Sequence, residues 1–339
     1  MIEICIVGAG KIFQLYHLKS INLIKSIKIK YVVDKNFELA KRVASAINAI
    51  PYESLDEIIN CEIFFVTVPP KFRIEVFDSI KDHAKNIIFE KPITLTYSDA
   101  DYIRNISEEK GINILVAQTR RFFPNINFTK KILAKIKTKK IKITAFEGAL
   151  FNWASESDYF SNQNPNDHGV FHDVGSHIFD YIIYIIGSIT KIEKLEFQVI
   201  QSIFDYNQNA NNTYSKVKIF NKNFEFEIIV RISRSSNFSN MIIINDGNNR
   251  YLTRSLMARD IKMVTADEII KIPIPKIKPS FDLNDVFYNM WLDIENVLKT
   301  NSSNNSKISL NSVIQTSRLM QEIIDKMKID NNLQDTYYE

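Results

Sequence analysis

The chain has 339 residues, 45% hydrophobic and 24% charged, with a net charge of +4 from 43 basic and 39 acidic side chains. That length suits two domains rather than one core. So small a charge over such a length is too little to argue for nucleic acid as the main partner, so none is expected, and no apolar run is long enough to suggest a bilayer span.

The first part alternates short β-branched runs with helix-length amphipathic pieces. In order the runs are "IEICIVGAG", "KIKYVVDKN", "EIFFVTVPP", "NIIFEKP" and "INILVAQTRRF". Apolar runs buried on both faces and separated by helices predict a doubly wound parallel sheet. Both cysteines, Cys5 and Cys61, fall in such runs and read as buried thiols, with neither a disulfide framework nor metal-ligand spacing. No metal is expected. A strand beginning at the second residue leaves no room for a signal peptide, so a cytoplasmic location is expected.

In "VGAGKIF", Gly8 permits a tight turn after the first strand. Gly10 lets the backbone approach a pyrophosphate at the N-terminus of the helix that Lys11 and Ile12 open. Phe13 stands where the dinucleotide fingerprint expects a third small residue, so helix and strand must pack differently here. Asp34 ends the second strand, where a carboxylate accepts hydrogen bonds from an adenosine ribose and repels a 2′-phosphate. NAD is therefore expected over NADP, with neighbouring Lys35 softening the preference. Farther along, Pro92 pushes Lys91 into an extended conformation at a strand end, the part of an open α/β sheet where ligands bind.

After Pro124 the pattern changes. The lysine-rich "KKILAKIKTKKIKIT" (130–144) reads as a solvated helix face leading into a strand. Beyond a polar loop comes "GVFHDVGSHIFDYIIYIIG", an apolar helix carrying two histidines and two aspartates. At 3.6 residues per turn Asp173, His177 and Asp180 fall within a stripe roughly 60° wide, while His172 points about 100° from Asp173. Asp173 one turn before His177 can orient the imidazole and stabilise its protonated form, an arrangement that can take a proton from a hydroxyl. A buried structural Asp–His pair is the other reading. Strands of alternating polarity follow to Pro275, among them "FEFEIIVRI", and Asn-rich turns between them suggest antiparallel pairs. Two helices close the chain.

Five motifs in order, "GAG", "TVPP", "EKP", "RRFFP" and "DVGSHIFD", resemble the Gfo/Idh/MocA oxidoreductase family over nearly the whole chain. The resemblance implies an N-terminal Rossmann doubly wound parallel sheet (1–122) that binds NAD(P). It also implies a C-terminal α/β domain (123–339) whose large, mostly antiparallel open sheet serves substrate binding and oligomerisation, in a homodimer or homotetramer. Lys91, Asp173 and His177 match the positions that line the reaction site in that family. The expected cofactor-facing set is Gly8, Gly10, Lys11, Ile12, Asp34, Lys35, Thr67, Val68, Pro69, Glu90 and Lys91. Arg121, Trp153 and His168 join Lys91, Asp173 and His177 as candidates for substrate contact. Trp153 reads equally as an interface core residue, and His168 as an exposed loop residue.

Departures from the pattern are Phe13, Asp167-His168-Gly169 in place of a run of glycines, and Arg73 where many members carry histidine. The reading is an NAD(P)-dependent dehydrogenase or reductase acting on a secondary alcohol of a sugar, sugar derivative or polyol. Two alternatives stand beside it. One is a nucleotide-sugar dehydrogenase in surface polysaccharide biosynthesis, with Arg73, Arg120 and Arg121 paired to a diphosphate. The other is a non-catalytic, cofactor-binding regulator of the same fold.

Overall fold

A computed structural model of the protein describes residues 1–58, 60–148, 169–205, 212–233, 239–275 and 283–329. By packing, one unit comprises Met1–Phe122 with Asp282–Ser317, and the other Phe123–Phe281 with Arg318–Glu339.

The first unit holds six parallel strands: β1 (Ile2–Val7), β2 (Ile27–Val33), β3 (Ile50–Tyr52), β4 (Ile63–Val66), β5 (Asn86–Glu90) and β6 (Asn113–Ala117). Their order is β3-β2-β1-β4-β5-β6, so the chain reverses direction across the sheet between β1 and β4. That switch point is where open α/β sheets bind ligands. Every residue of β5 is buried, as expected of a strand covered on both faces. The surrounding helices carry their own stops. Thr96 Oγ1 caps helix Tyr97–Lys110 by accepting from Asp99 N at 3.1 Å, and Gly111 ends it at φ 69°. Val7, Phe64, Val66, Phe77, Ile87, Phe89 and Val116 make the core with Leu310, Val313 and Ile314. Those last three open the final long helix, Leu310–Asp325, so a segment read from sequence as part of the second domain packs with the first.

Among its described residues the second unit has nine strands: β7 (Lys140–Gly148), β8 (Glu196–Asp205), β9 (Asn212–Phe220), β10 (Glu225–Ser233), β11 (Met241–Asn245), β12 (Arg250–Thr253), β13 (Asp260–Val264), β14 (Ile269–Pro273) and the two-residue β15 (Lys328–Ile329). Their order is β14-β13-β12-β11-β7-β10-β9-β8-β15. The sheet is mostly antiparallel, with β7–β10 and β8–β15 the parallel pairs. Along β10, Phe226, Ile228, Val230 and Ile232 are buried while Glu225, Glu227, Ile229 and Arg231 are half-exposed, the period-two alternation of a one-sided sheet. Lys142 and Lys216 from the flanking strands reach Glu227 on the exposed side, and the Lys142 hydrogen bond holds that carboxyl below its usual range. The buried side carries the helical segment 169–186, and a Cβ on Gly175 would lie 3.4 Å from Ile232 Cδ1. The lysine run spans the end of helix Pro124–Leu133 and the start of β7, its side chains turned mostly to solvent as expected. Among the described residues no helix is long and apolar enough to cross a membrane, and no group of His, Cys, Asp and Glu could hold a metal ion.

Candidate active site

The glycine turn follows β1 directly. Gly8 has φ 100°, a conformation that disfavours any side chain. A Cβ there would also sit 2.8 Å from Thr67 Oγ1 and 3.0 Å from Val68 N. The turn is held on both sides: Gly8 N donates to Val33 O at 2.8 Å, and Thr67 Oγ1 donates to Gly8 O at 2.5 Å. By contrast, a Cβ on Gly10 would meet nothing within 4 Å, so the backbone is open at the position where the helix begins. Open backbone at a helix N-terminus suits a pyrophosphate. Lys11, Ile12, Thr67, Val68 and Pro69 are half-buried around this turn, at the carboxyl ends of β1 and β4.

Phe13 is fully buried, and the helix accommodates it with a π-type turn over Phe13–His17. Such turns are rare and concentrate at functional sites. Asp34 reaches the glycine turn itself. Its Oδ2 accepts from Ala9 N at 2.7 Å and its Oδ1 from Asn36 N at 2.9 Å. Each oxygen keeps a second lone pair, so a carboxylate that fixes the turn can still accept from ribose hydroxyls. Lys35 is exposed beside Glu75, 3.7 Å away, and the Phe72 ring.

At the end of β5, Lys91 is half-buried. Its N–H donates to Glu90 Oε2 at 2.8 Å, and Glu90 Oε1 lies 2.8 Å from His17 Nε2. The Glu90 side chain is turned inward, 4% exposed, with both carboxylate oxygens on protein groups. Arg73 is 2% exposed. Its Nε donates to Val68 O at 2.9 Å and its Nη1 to Glu90 O and Pro92 O, strapping the "TVPP" turn to the "EKP" turn. Arg121 is 1% exposed and donates to Lys307 O, Ser312 Oγ and Ser312 O at 2.5, 2.9 and 2.8 Å. Arg120 is buried as well. The expected substrate contact at Arg121 is thus a tie within the first unit. The diphosphate clamp expected of Arg73, Arg120 and Arg121 is likewise replaced by buried side chains, two of them with their donors on protein acceptors.

In the second unit a π-type turn over Phe171–Gly175 leads into helix Ser176–Ile186. Asp173 and His177 sit about one turn apart, and between Val170 and Ile183 they alone are half-exposed. His172 is buried, as the helical projection expects. Asp180 is fully buried, unlike Asp173 and His177, with which it was expected to share a face. Tyr184 continues the accessible stripe, its hydroxyl donating to Asn127 Oδ1 at 3.1 Å. Trp153 and His168 lie outside the described residues.

Sequence reasoning missed His17 and Trp291. Trp291 Nε1 donates to His17 Nδ1 at 3.0 Å across 274 residues of sequence, a pairing no local pattern announces. A histidine in the first buried turn after the glycines was the available signal.

Comparison with known proteins agrees with this geometry. Residues 2–118 match a family model described as an oxidoreductase family with an NAD-binding Rossmann fold. An uncharacterized oxidoreductase of Schizosaccharomyces pombe is 24% identical over 155 residues, 44% of this chain and 42% of that protein. The scyllo-inositol 2-dehydrogenase (NADP(+)) of Bacillus subtilis is 22% identical over 189 residues, 55% of this chain and 52% of that protein. The chain spans about half the length of these curated relatives. A 3-ketoreductase from Actinomadura kijaniata, solved with NADP and TDP-benzene, superposes with TM-score 0.76 at 12% identity, covering 97% of this chain and 98% of that one. At that identity the likeness is one of fold.

Proposed function

Residues 2–118 match the Gfo/Idh/MocA oxidoreductase family, and from that premise we propose that the chain interconverts a secondary alcohol and a ketone on a sugar, sugar derivative or polyol. The observation that carries the proposal is the accessible Asp173–His177 pair on a helix whose other side chains between Val170 and Ile183 are buried. A histidine left partly accessible on so apolar a helix, with a carboxylate about one turn before it, is placed to exchange protons.

The open backbone at Gly10 and the carboxylate of Asp34 fit a dinucleotide, with Gly8, Gly10, Lys11, Thr67 and Val68 as the residues that would hold it. When bound, the nicotinamide supplies the hydride acceptor or donor. In oxidation His177 takes the hydroxyl proton, and in reduction it returns one to the carbonyl oxygen. Asp173 orients the imidazole and favours its protonated form. Lys91 donates a hydrogen bond to the reacting oxygen and stabilises its developing negative charge.

The inositol dehydrogenase supports a polyhydroxylated substrate class. A free sugar or polyol is favoured over a nucleotide-linked one, because Arg73 and Arg121 have their guanidinium donors on protein oxygens. The test is reduced-nicotinamide absorbance with inositols, hexoses, sugar acids and TDP-sugars as substrates. Turnover of free polyols or sugars supports the reading. Cofactor binding with no turnover of any of them would favour the non-catalytic regulator.

Asp34 also supports NAD as the preferred cofactor, although the inositol dehydrogenase is named for NADP(+) and the 3-ketoreductase was solved with NADP. Fluorescence titration should give a Kd for NADH at least about tenfold below that for NADPH, a difference near 1.4 kcal/mol. Asp34→Ala should narrow that gap. Tighter NADPH binding by the parent chain would overturn the argument.

For assembly we propose a homodimer or homotetramer. The half-exposed Leu252, Ile243, Thr144 and Ile229 follow one another across β12, β11, β7 and β10, a mixed apolar row suited to a second copy. A monomer by light scattering at micromolar concentration would count against it.

A further inference from the structure

The first unit contains a chain of buried hydrogen bonds that ends on Lys91. His17 is 0% exposed and stands among aromatic rings, 4.6 Å from Phe65 and 4.9 Å from Phe287 between centroids. Trp291, on helix Leu283–Thr300, is also fully buried. An indole N–H can only donate, so His17 Nδ1 must be the acceptor of the 3.0 Å bond from Trp291. That assigns the remaining proton to Nε2, which then donates to Glu90 Oε1 at 2.8 Å. The imidazole is thereby held in one tautomer, facing a carboxylate whose other oxygen accepts the Lys91 N–H.

Arg73 completes the clamp. Its Nη1 donates to Glu90 O and Pro92 O, the carbonyls on either side of Lys91. The main chain at Lys91 is therefore fixed at its own N–H, at the carbonyl before it and at the carbonyl of Pro92. The bonds of His17 and those of Arg73 Nη1 are buried, where such bonds are strengthened and costly to leave unmade.

We propose that His17 and Trp291 are positioning residues for Lys91: the indole–imidazole–carboxylate relay fixes the strand end from which the Lys91 side chain leaves. The role rests on the reading of Lys91 as the donor to the reacting oxygen. The relay begins in the π-type turn after the glycine turn, so one helix serves both the cofactor turn and the lysine.

The experiment uses the full chain with His17→Leu, His17→Gln and Trp291→Phe. Leu removes both bonds, Gln retains an N–H for Glu90, and Phe keeps an aromatic ring but loses the indole donor. Hydrogen–deuterium exchange at the Lys91 amide reads the anchoring without any substrate. Exchange in folded His17→Leu should be at least about tenfold faster than in the parent, with Gln restoring much of the protection and Trp291→Phe intermediate. With a polyol substrate, His17→Leu should lose about tenfold or more in kcat, while its KM and the Kd for NADH change less than about threefold, because the lysine is misplaced and the cofactor turn is intact. Unchanged Lys91 exchange in folded His17→Leu or Trp291→Phe would overturn the relay. So would faster exchange accompanied by unchanged kcat. If the parent turns over no polyol or sugar, the functional reading falls, and the exchange measurement still decides whether the relay anchors Lys91.

Discussion

His177→Ala should lower kcat by about two to four orders of magnitude, the usual contribution of a positioned general acid–base group. The Kd for NADH should stay within about threefold of the parent, because the cofactor turn at Gly8 and Gly10 belongs to the other packing unit. Asp173→Asn preserves shape but removes the charge that stabilises an imidazolium, so kcat should fall without loss of fold. Lys91→Met should lower turnover by removing charge stabilisation at the reacting oxygen. The competing explanation, a structural Asp–His pair, predicts lost stability with turnover per folded molecule unchanged. Melting temperature and turnover measured on the same preparations separate the two. Near-parental turnover in all three variants would remove these residues from the site.

The sequence made some of this visible and hid the rest for physical reasons. Alternation in "FEFEIIVRI" projects directly onto the two faces of β10, because a strand has a fixed period of two. The glycine turn was readable because the positive φ at Gly8 is a local demand that few other residues meet. Hydrogen-bond partners are not local. Glu90 read as a cofactor contact, and its carboxylate partner His17 lies 73 residues earlier. Arg73, Arg120 and Arg121 looked like anion ligands because charged side chains are usually exposed, yet all three are buried. The two π-type turns were also invisible, and helical projection carries no information on depth: Asp180 is fully buried where Asp173 and His177 are not. Periodicity reports which face of an element is apolar; it carries no information on which distant residue completes a buried polar group.

Arg121 turns that limit into a measurement. Read as a substrate contact, Arg121→Met should raise KM and leave the melting temperature alone. The structure supports the opposite outcome. The guanidinium donates to Lys307 O, Ser312 Oγ and Ser312 O, joining the end of β6 to the segment that enters the last long helix. That segment is itself stitched to the sheet where Val116 N donates to Ile308 O at 2.9 Å. Methionine fills much of the volume but donates nothing, so these acceptors lose a charged donor in a site that is 1% exposed. Hydrogen bonds to charged groups contribute roughly 1.5–3 kcal/mol each, and neighbouring losses are not additive, so the total cost should be on the order of 3 kcal/mol. That corresponds to a fall in Tm of roughly 4 to 9 °C, the smaller figure if the whole chain melts together and the larger if the first unit melts alone. Arg121→Lys should recover little of the loss, because one ammonium cannot reproduce the planar fork that serves acceptors on two residues. Turnover per folded molecule should remain near that of the parent for both variants. A parental Tm with a raised KM would return Arg121 to the substrate site.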